Sequence, residues 1–284
     1  MNDRQQMTTA EPVDVPTTSG QISYMTEVSE SSLFRNGKVF TRRDLDGSDD
    51  SYVGVDAEEL TVSIGDARCL TGEERRTIGT HGFELLDQPL ADPAIDFYDH
   101  QAVVQRHYPE CAEAVRAATG ASHVFAFDHN IRSAAENKAA RRIKGGQQVQ
   151  GPAHLVHGDY TLTSGPQRLR DLAKPPGLND TVRSVLAQGE ALLDQAVVDR
   201  ALGADGRFAI INLWRNIDSE PVQSEAMTLC DGQTVIPEDL VVFEIHYQER
   251  IGENYFAKPA PGHGWWWYPH MTRDEGLLIK QWDS

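Results

Sequence analysis

The sequence predicts an α+β fold with a mainly antiparallel β sandwich or barrel at its core. Three observations carry this. Segments with helical spacing fall in the first two-thirds of the chain, strand-like runs fill the part after Gly206, and no internal repeat or clear linker divides the 284 residues. That length suits one sizeable domain. Residues 1–20 are polar, carry Pro12 and Pro16, and read as a disordered or extended arm. Residues 21–284 read as the domain.

The elements follow in order. Residues 21–28, 38–41 and 59–64 are short β-branched runs broken by Gly, Asp and Ser, and 83–86 is a further apolar run; together they form an N-terminal β extension. Between Asp96 and Thr119, Val103, Val104, Tyr108, Cys111, Val115 and Ala118 recur at helical spacing, and Gly120 supplies a stop. Residues 122–127 alternate as a strand, 132–146 read as helix then mobile loop, 153–160 as a strand and 167–173 as a short helix. Residues 180–202 carry Val182, Val185, Leu186, Leu192, Leu193, Val197 and Leu202, an amphipathic helix capped by Asn179 or Asp180 and closed by Gly203. Strands then follow at 208–214, 226–229, 240–247, 265–268 and 277–282.

Charge excludes more than it identifies. With 26 basic and 43 acidic side chains the net charge is −17, so the surface repels phosphate backbones and anionic membranes. Nucleic acid and membrane are thus not expected partners; a small molecule is. Cys69, Cys111 and Cys230 are odd in number and lack metal-site spacing, which fits a reducing compartment. The N-terminus has no apolar run for a signal peptide and no stretch is long enough to span a bilayer, so a cytoplasmic location is expected, as monomer or homo-oligomer.

The chemistry concentrates at His157-Gly158-Asp159. On an extended strand, residues i and i+2 share a face, so imidazole and carboxylate can meet one ion, with Gly158 leaving room for close approach. A distant histidine would complete a facial triad of the non-heme Fe(II) type, with coordination positions left open. Two histidines compete for that place. His263 precedes the run Trp265-Trp266-Trp267-Tyr268, where Trp265 and Trp267 could wall the pocket, and it is preferred on that ground; His246 lies mid-strand. His154, His129 and His270 are weaker candidates.

2-Oxoglutarate, the co-substrate of that chemistry, needs a fixed cation for its distal carboxylate. Arg215 ends an apolar strand, Lys280 lies inside another, and Arg273 follows His263 at a spacing common in such enzymes but in a solvated neighbourhood. Arg215 and Lys280 rank first. Tyr160, Thr161 and Asn212 could bind the co-substrate or orient a ligand. Arg132 is placed at the substrate pocket, and 132–151 could form a lid over it.

At this point the chain resembles a family of microbial oxygenases that includes fungal gibberellin desaturase, hydroxylase/desaturase-like proteins and the cephem methoxylase subunit. The resemblance rests on Asp66-Ala67-Arg68, Gly82-Phe83, Asp96-Phe97-Tyr98-Asp99, Thr119-Gly120-Ala121, Phe127-Asp128-His129 with Arg132, His157-Gly158-Asp159-Tyr160-Thr161 and Asn212-Leu213-Trp214-Arg215. Its most specific part is His263-Gly264-Trp265-Trp266-Trp267, then Asp274 to Lys280, and Asp283-Ser284. It implies a double-stranded β-helix (jelly-roll) core, mainly within 122–284, with flanking helices. It implies use of Fe(II), 2-oxoglutarate and O2 to hydroxylate or desaturate a small natural product. It supports His263 over His246 and keeps Arg215 and Lys280; Trp267 departs from the tyrosine or phenylalanine more usual there. A zinc-dependent hydrolase and a non-catalytic jelly-roll binding protein are the rival readings; no H-E-x-x-H, P-loop, G-x-G-x-x-G or G-x-S-x-G motif is present.

Overall fold

Strand β3 (Ala57–Asp66) shows how pattern becomes structure: Leu60, Val62 and Ile64 turn inward while Glu59, Thr61 and Ser63 stay exposed. In this computed structural model, residues 14–44, 49–133, 149–178 and 180–284 are described. Residues 1–13 of the expected arm, 134–148 of the expected lid and the expected cap Asn179 lie outside them.

Eleven strands in the described residues form three sheets. β1 (Thr17–Met25) pairs antiparallel with β3, which runs parallel to β10 (Trp265–Trp267), and β10 pairs antiparallel with β7 (Thr228–Cys230). A second sheet places β11 (Glu275–Asp283) between β4 (Phe83–Asp87) and β6 (Ala209–Trp214), both antiparallel to it. A third orders β2 (Phe40–Arg42), β8 (Leu240–His246), β9 (Ile251–Ala257) and β5 (His157–Gly158). Pairing is mainly antiparallel, with few helices, as the α+β expectation requires.

Two apolar clusters tie the sheets together. Phe83, Leu277, Trp214 and Ile279 of the second sheet meet Leu229 and Trp266 of the first. On the opposite side of the first sheet, Tyr24, Ile64 and Trp265 meet Ala257 of the third sheet and Val156. Gly65 permits this stacking: a Cβ there would come within 2.7 Å of the Trp266 ring.

The helices depart from expectation in instructive ways. The expected helix ending at Gly120 forms as α1 (His100–Ala102), a π-helical turn (Val103–His107) and α2 (Tyr108–Thr119). Asp99 caps its start, and Gly120 ends it at φ 71°. The expected helix over 180–202 does not form as one piece. It is a 3-10 turn (Thr181–Ser184), then irregular chain through Gly189 at φ 86°, then α4 (Gln195–Ala201). The glycine turns the chain left-handed, which no helix continues through. α3 (Ser164–Asp171) replaces the expected 167–173.

Residues 122–127 form no ladder, and of 153–160 only β5 and a single bridge from Leu155 to Ser23 do. β9 was not expected, because Gly252, Glu253 and Asn254 interrupt its apolar period. Glu253 is nevertheless 2% exposed, its carboxylate held by Arg35 and by Thr161 Oγ1.

Candidate metal-binding edge and its cleft

His157 sits at the end of an extended segment, opposite Phe256 of β9, so it shares a face with Phe256 and Val241. Its Nδ1–H donates to the Leu155 carbonyl at 2.7 Å, because a carbonyl can only accept. That fixes the tautomer and leaves the Nε2 lone pair free. Nε2 faces Asp159 Oδ1 at 3.7 Å, too long for a hydrogen bond. Asp159 Oδ2 accepts from Asn212 Nδ2 at 2.8 Å, and its backbone N–H donates to Gln281 Oε1 at 2.8 Å.

An imidazole nitrogen and a carboxylate oxygen therefore lie 3.7 Å apart with no hydrogen bond between them. Metal–ligand arms of about 2.1 Å each reach one ion across gaps up to about 4.2 Å. The donor set fits a divalent first-row metal, and each donor is oriented from behind by a neutral hydrogen bond. Gly158 is not needed for room: a Cβ there would meet nothing nearer than Gln281 Oε1 at 4.0 Å.

Neither distal histidine joins this pair in the structure. His246 lies opposite Ile251, on the face that carries Glu244 and Glu253, and its Nε2 meets Glu244 at 2.9 Å. Strand alternation thus turns it away from His157. His263 stacks on Tyr24 at 5.7 Å, in the compartment reached by Val156, the neighbour of His157 that points the other way. Both of its ring nitrogens are taken, Nδ1 by Tyr24 Oη at 2.9 Å and Nε2 by Asp239 at 3.0 Å. Its side chain is 2% exposed. Among the described residues no three His, Cys, Asp or Glu side chains form a metal-sized group. The three-ligand set expected from the sequence is not assembled: His263 belongs to a closed network behind the strand.

The expected cations fare unequally. Lys280 pairs with Ile211, the neighbour of Asn212 on the opposite face, and its Nζ binds Asp283 at 2.9 Å. Arg215, next after β6, is buried with two donors on the carbonyls of Arg273 and Gln88. Arg273 lies over the Phe97 ring. All three line the cleft that holds Asp159. Arg132 lines it too, donates to the Gly151 carbonyl at 2.9 Å, and feels the Asp159 charge while burial lowers its own pKa.

Thr161 is placed by its own contacts. It is fully buried, donates to Glu253 and accepts from the backbone of Thr163 and Ser164, so it organises the entry to α3. Tyr160 lies between Asp128, Arg168 and Asp159, with its pKa pushed up by burial. Trp265 lines the cleft, while Trp267 packs among Ile64, Tyr24 and Ala257. His154 is exposed beside Glu225.

The edge opens on a broad cleft of about 3760 Å³, several times the ~300–1,000 Å³ of a closed small-molecule pocket. One wall was missed by sequence reading. His100 and His129 stack at 5.2 Å; His100 Nε2 meets Ser184 Oγ, His129 Nδ1 meets Tyr108 Oη, and Asp128 accepts from Thr181. The only signal was Asp128-His129 beside Phe127, which carries no periodicity of its own.

Burial lowers the His129 pKa to about 4, with His100 and His107 adding to the shift. The sign follows from linkage. The unfolded imidazole binds a proton near pH 6.5 and the folded one does not, so stability falls as pH drops from about 6.5 to about 4. The loss should approach about 3 kcal/mol from this residue. Thermal melts of the wild type and His129→Gln across that range check it: the variant should lose that share of the acid sensitivity.

The comparisons with known proteins show the class to which the chain belongs, an oxidoreductase. A family model described as "YDMC: Oxidoreductase/YMDC permease-like domain" matches residues 22–284, and the chain belongs to that family. It is 44% identical over 198 residues to the "Uncharacterized protein in dcmA 3'region" of Methylophilus leisingeri, covering 70% of this chain and 90% of that one. It is 29% identical over 228 residues to the "Alpha-ketoglutarate-dependent dioxygenase tstK" of Talaromyces stipitatus, covering 78% and 71%. Among solved structures, "iron and alpha-ketoglutarate-dependent endoperoxidase NvfI" superposes with a TM-score of 0.69 at 19% identity, over 94% of this chain and 85% of that one; this likeness is one of fold. Among the described residues no helix is long and apolar enough to cross a membrane.

Proposed function

We propose that this chain hydroxylates or desaturates a small natural product at an iron held by His157 Nε2 and Asp159 Oδ1. It is an Fe(II)- and 2-oxoglutarate-dependent dioxygenase, using O2 and releasing succinate. The observation that carries the reading is the pair of free, mutually facing donors at 3.7 Å, each fixed by an outer hydrogen bond. Relatives named as 2-oxoglutarate-dependent dioxygenases and hydroxylase/desaturases support it. The mainly antiparallel sheets and the fold likeness support a double-stranded β-helix.

When bound, the iron supplies the O2 activation that couples decarboxylation of 2-oxoglutarate to C–H oxidation. The chain's own part is to bind and orient. Leu155 O holds His157 in its ligating tautomer, Asn212 occupies the second carboxylate oxygen, and Gln281 fixes the backbone at Asp159. His157 and Asp159 would hold the iron as two protein donors and would leave room for the co-substrate to bind beside them. Arg132 is the cation best placed for a carboxylate on that side, and Tyr160 and Trp265 border the substrate space.

Iron-dependent, aerobic release of succinate from 2-oxoglutarate tests the function; metal-dependent ester or amide cleavage without O2 would instead favour the zinc hydrolase. For the cation, Arg132→Ala should weaken 2-oxoglutarate binding by about 1.5–3 kcal/mol, the scale of a charge-assisted hydrogen bond, with iron affinity unchanged. Calorimetric titration of the iron-loaded protein checks this. Equal loss in Lys280→Ala, with none in Arg132→Ala, would move the role to Lys280.

A further inference from the structure

We infer that Asn254 and Glu253 of β9 are positioning residues for Asp159, with Arg35 holding Glu253 to that task, a role that rests on the proposed iron site. β5 pairs with β9 through His157 opposite Phe256 and Gly158 opposite Tyr255, and there the ladder stops. Continued by two residues, the same register would set Asp159 opposite Asn254 and Tyr160 opposite Glu253. In place of that ladder, the side chains of these two β9 residues grip the turn.

Asn254 lies on the face of β9 that carries Phe256, hence on the His157 side. Its amide faces the carbonyls of Asp159 and Glu253, each at 3.1 Å; carbonyls only accept, so the nitrogen points there and donates to both. Asp159 is thereby held at every polar group except the oxygen that faces His157. Its carbonyl takes Asn254, its N–H gives to Gln281, and its Oδ2 takes Asn212. The three amides come from β9, β11 and β6, which belong to two different sheets. A residue pinned from both sheets keeps Oδ1 on the side of His157 Nε2.

Glu253 works from the opposite face. Its carboxylate accepts from Thr161 Oγ1 and its carbonyl from Ser164 Oγ, both at 2.8 Å. Thr161 Oγ1 itself accepts from the N–H groups of Thr163 and Ser164, so the turn between Asp159 and α3 hangs on this one acid. Tyr255 adds a stitch, accepting from Leu162 N–H at 3.3 Å and donating to the Leu33 carbonyl at 2.7 Å. The acid is costly where it stands. Glu253 lies directly opposite Glu244, each is 2% exposed, and buried like charges across a ladder repel. Arg35 offsets this, meeting Glu253 Oε1 through Nε at 2.7 Å and a terminal nitrogen at 2.5 Å. Glu244 is held by Gly37 N–H at 2.6 Å and His246 Nε2 at 2.9 Å. A strand gains nothing from an acid at this place, where a threonine or valine would suit the ladder better. The turn behind Asp159 gives Glu253 its use.

Hydrogen exchange of the apoprotein and anaerobic Fe(II) titration, both on the full chain, test this. Asn254→Ala should speed exchange of amides 158–164 by at least about tenfold while the amides of β8 stay as slow as before. It should weaken Fe(II) binding by about 10–100-fold, the scale of an outer partner, and lower Tm by only about 2–4 °C. Arg35→Ala should weaken Fe(II) binding about tenfold, and millimolar guanidinium chloride, but not sodium chloride, should restore it. Residues that served folding alone would lower Tm without touching iron affinity. Iron titrations of both variants that overlay the wild type overturn the assignment, as does unchanged exchange at 158–164 in Asn254→Ala. A wild type that binds no Fe(II), with the turn loosened in Asn254→Ala, upholds the clamp on Asp159 and removes the proposed function instead.

Discussion

His157→Ala and Asp159→Ala should each abolish iron-dependent succinate release, by at least about a thousandfold, while leaving the melting temperature nearly unchanged. The size follows from the donor count. Only two side-chain donors face the ion, so removing either leaves a single arm, and chelation is lost rather than weakened. The small stability cost follows from exposure: both side chains are about a third exposed, His157 at 29% and Asp159 at 35%. Neither carries packing that a cavity would penalise. Asn212→Ala should fall between. It frees Asp159 Oδ2 and lets the carboxylate rotate, which costs about 10–100-fold in metal affinity for an outer partner. Titration of the apoprotein with Fe(II) under anaerobic conditions reads all three. A variant of His157 that binds iron as the wild type does would remove the basis of the proposed function.

The closeness of His157 and Asp159 was legible because residues two apart on an extended backbone can share a face. His157 lies in the two-residue strand β5, and Asp159 follows directly beyond it at a bend. Long-range convergence has no such local signature. His263 and His246 both lie beside strands rich in aromatic or aliphatic residues, and the run of side chains tells nothing of which face packs against which sheet. The register does. Glu244 opposite Glu253 puts His246 on the far face, and Trp265 opposite Ile64 draws the chain of His263 into the cluster around Tyr24. The same limit hid β9, where a buried Glu253 looked like a loop residue until Arg35 and Thr161 supplied its partners. Arg215 and Lys280 stood out as charges at the end of, or within, apolar runs. Their direction was not readable, since a one-residue change of parity moves a side chain from the cleft to the opposite face.

His263→Ala should cost about 3–5 kcal/mol of stability yet leave iron affinity intact in the protein that remains folded. Trp265 Nε1–H donates to Tyr24 Oη at 2.9 Å, so the Tyr24 hydroxyl proton goes to His263 Nδ1, and His263 Nε2–H donates to Asp239. Every polar atom of the imidazole is thus spent inside a network linking β1, the start of β8 and the approach to β10. Deleting the ring leaves the buried Asp239 carboxylate with the Ile236 backbone N–H and the Tyr24 hydroxyl with the Trp265 indole N–H, and the weakened solvation of the buried charge sets the scale. Tyr24→Phe is the control. It removes one hydrogen bond to each of Trp265 and His263 while keeping the imidazole itself, and should cost about 1–3 kcal/mol. If both variants lose stability in that order while anaerobic Fe(II) titrations overlay the wild type, His263 is a structural lock. If iron affinity collapses in His263→Ala but not in Tyr24→Phe, the imidazole must leave Tyr24 and Asp239 to reach the ion. Metal binding would then be coupled to breaking this network. Adding Fe(II) to the wild type should in that case expose Tyr24 to solvent, a change its fluorescence or chemical modification would register.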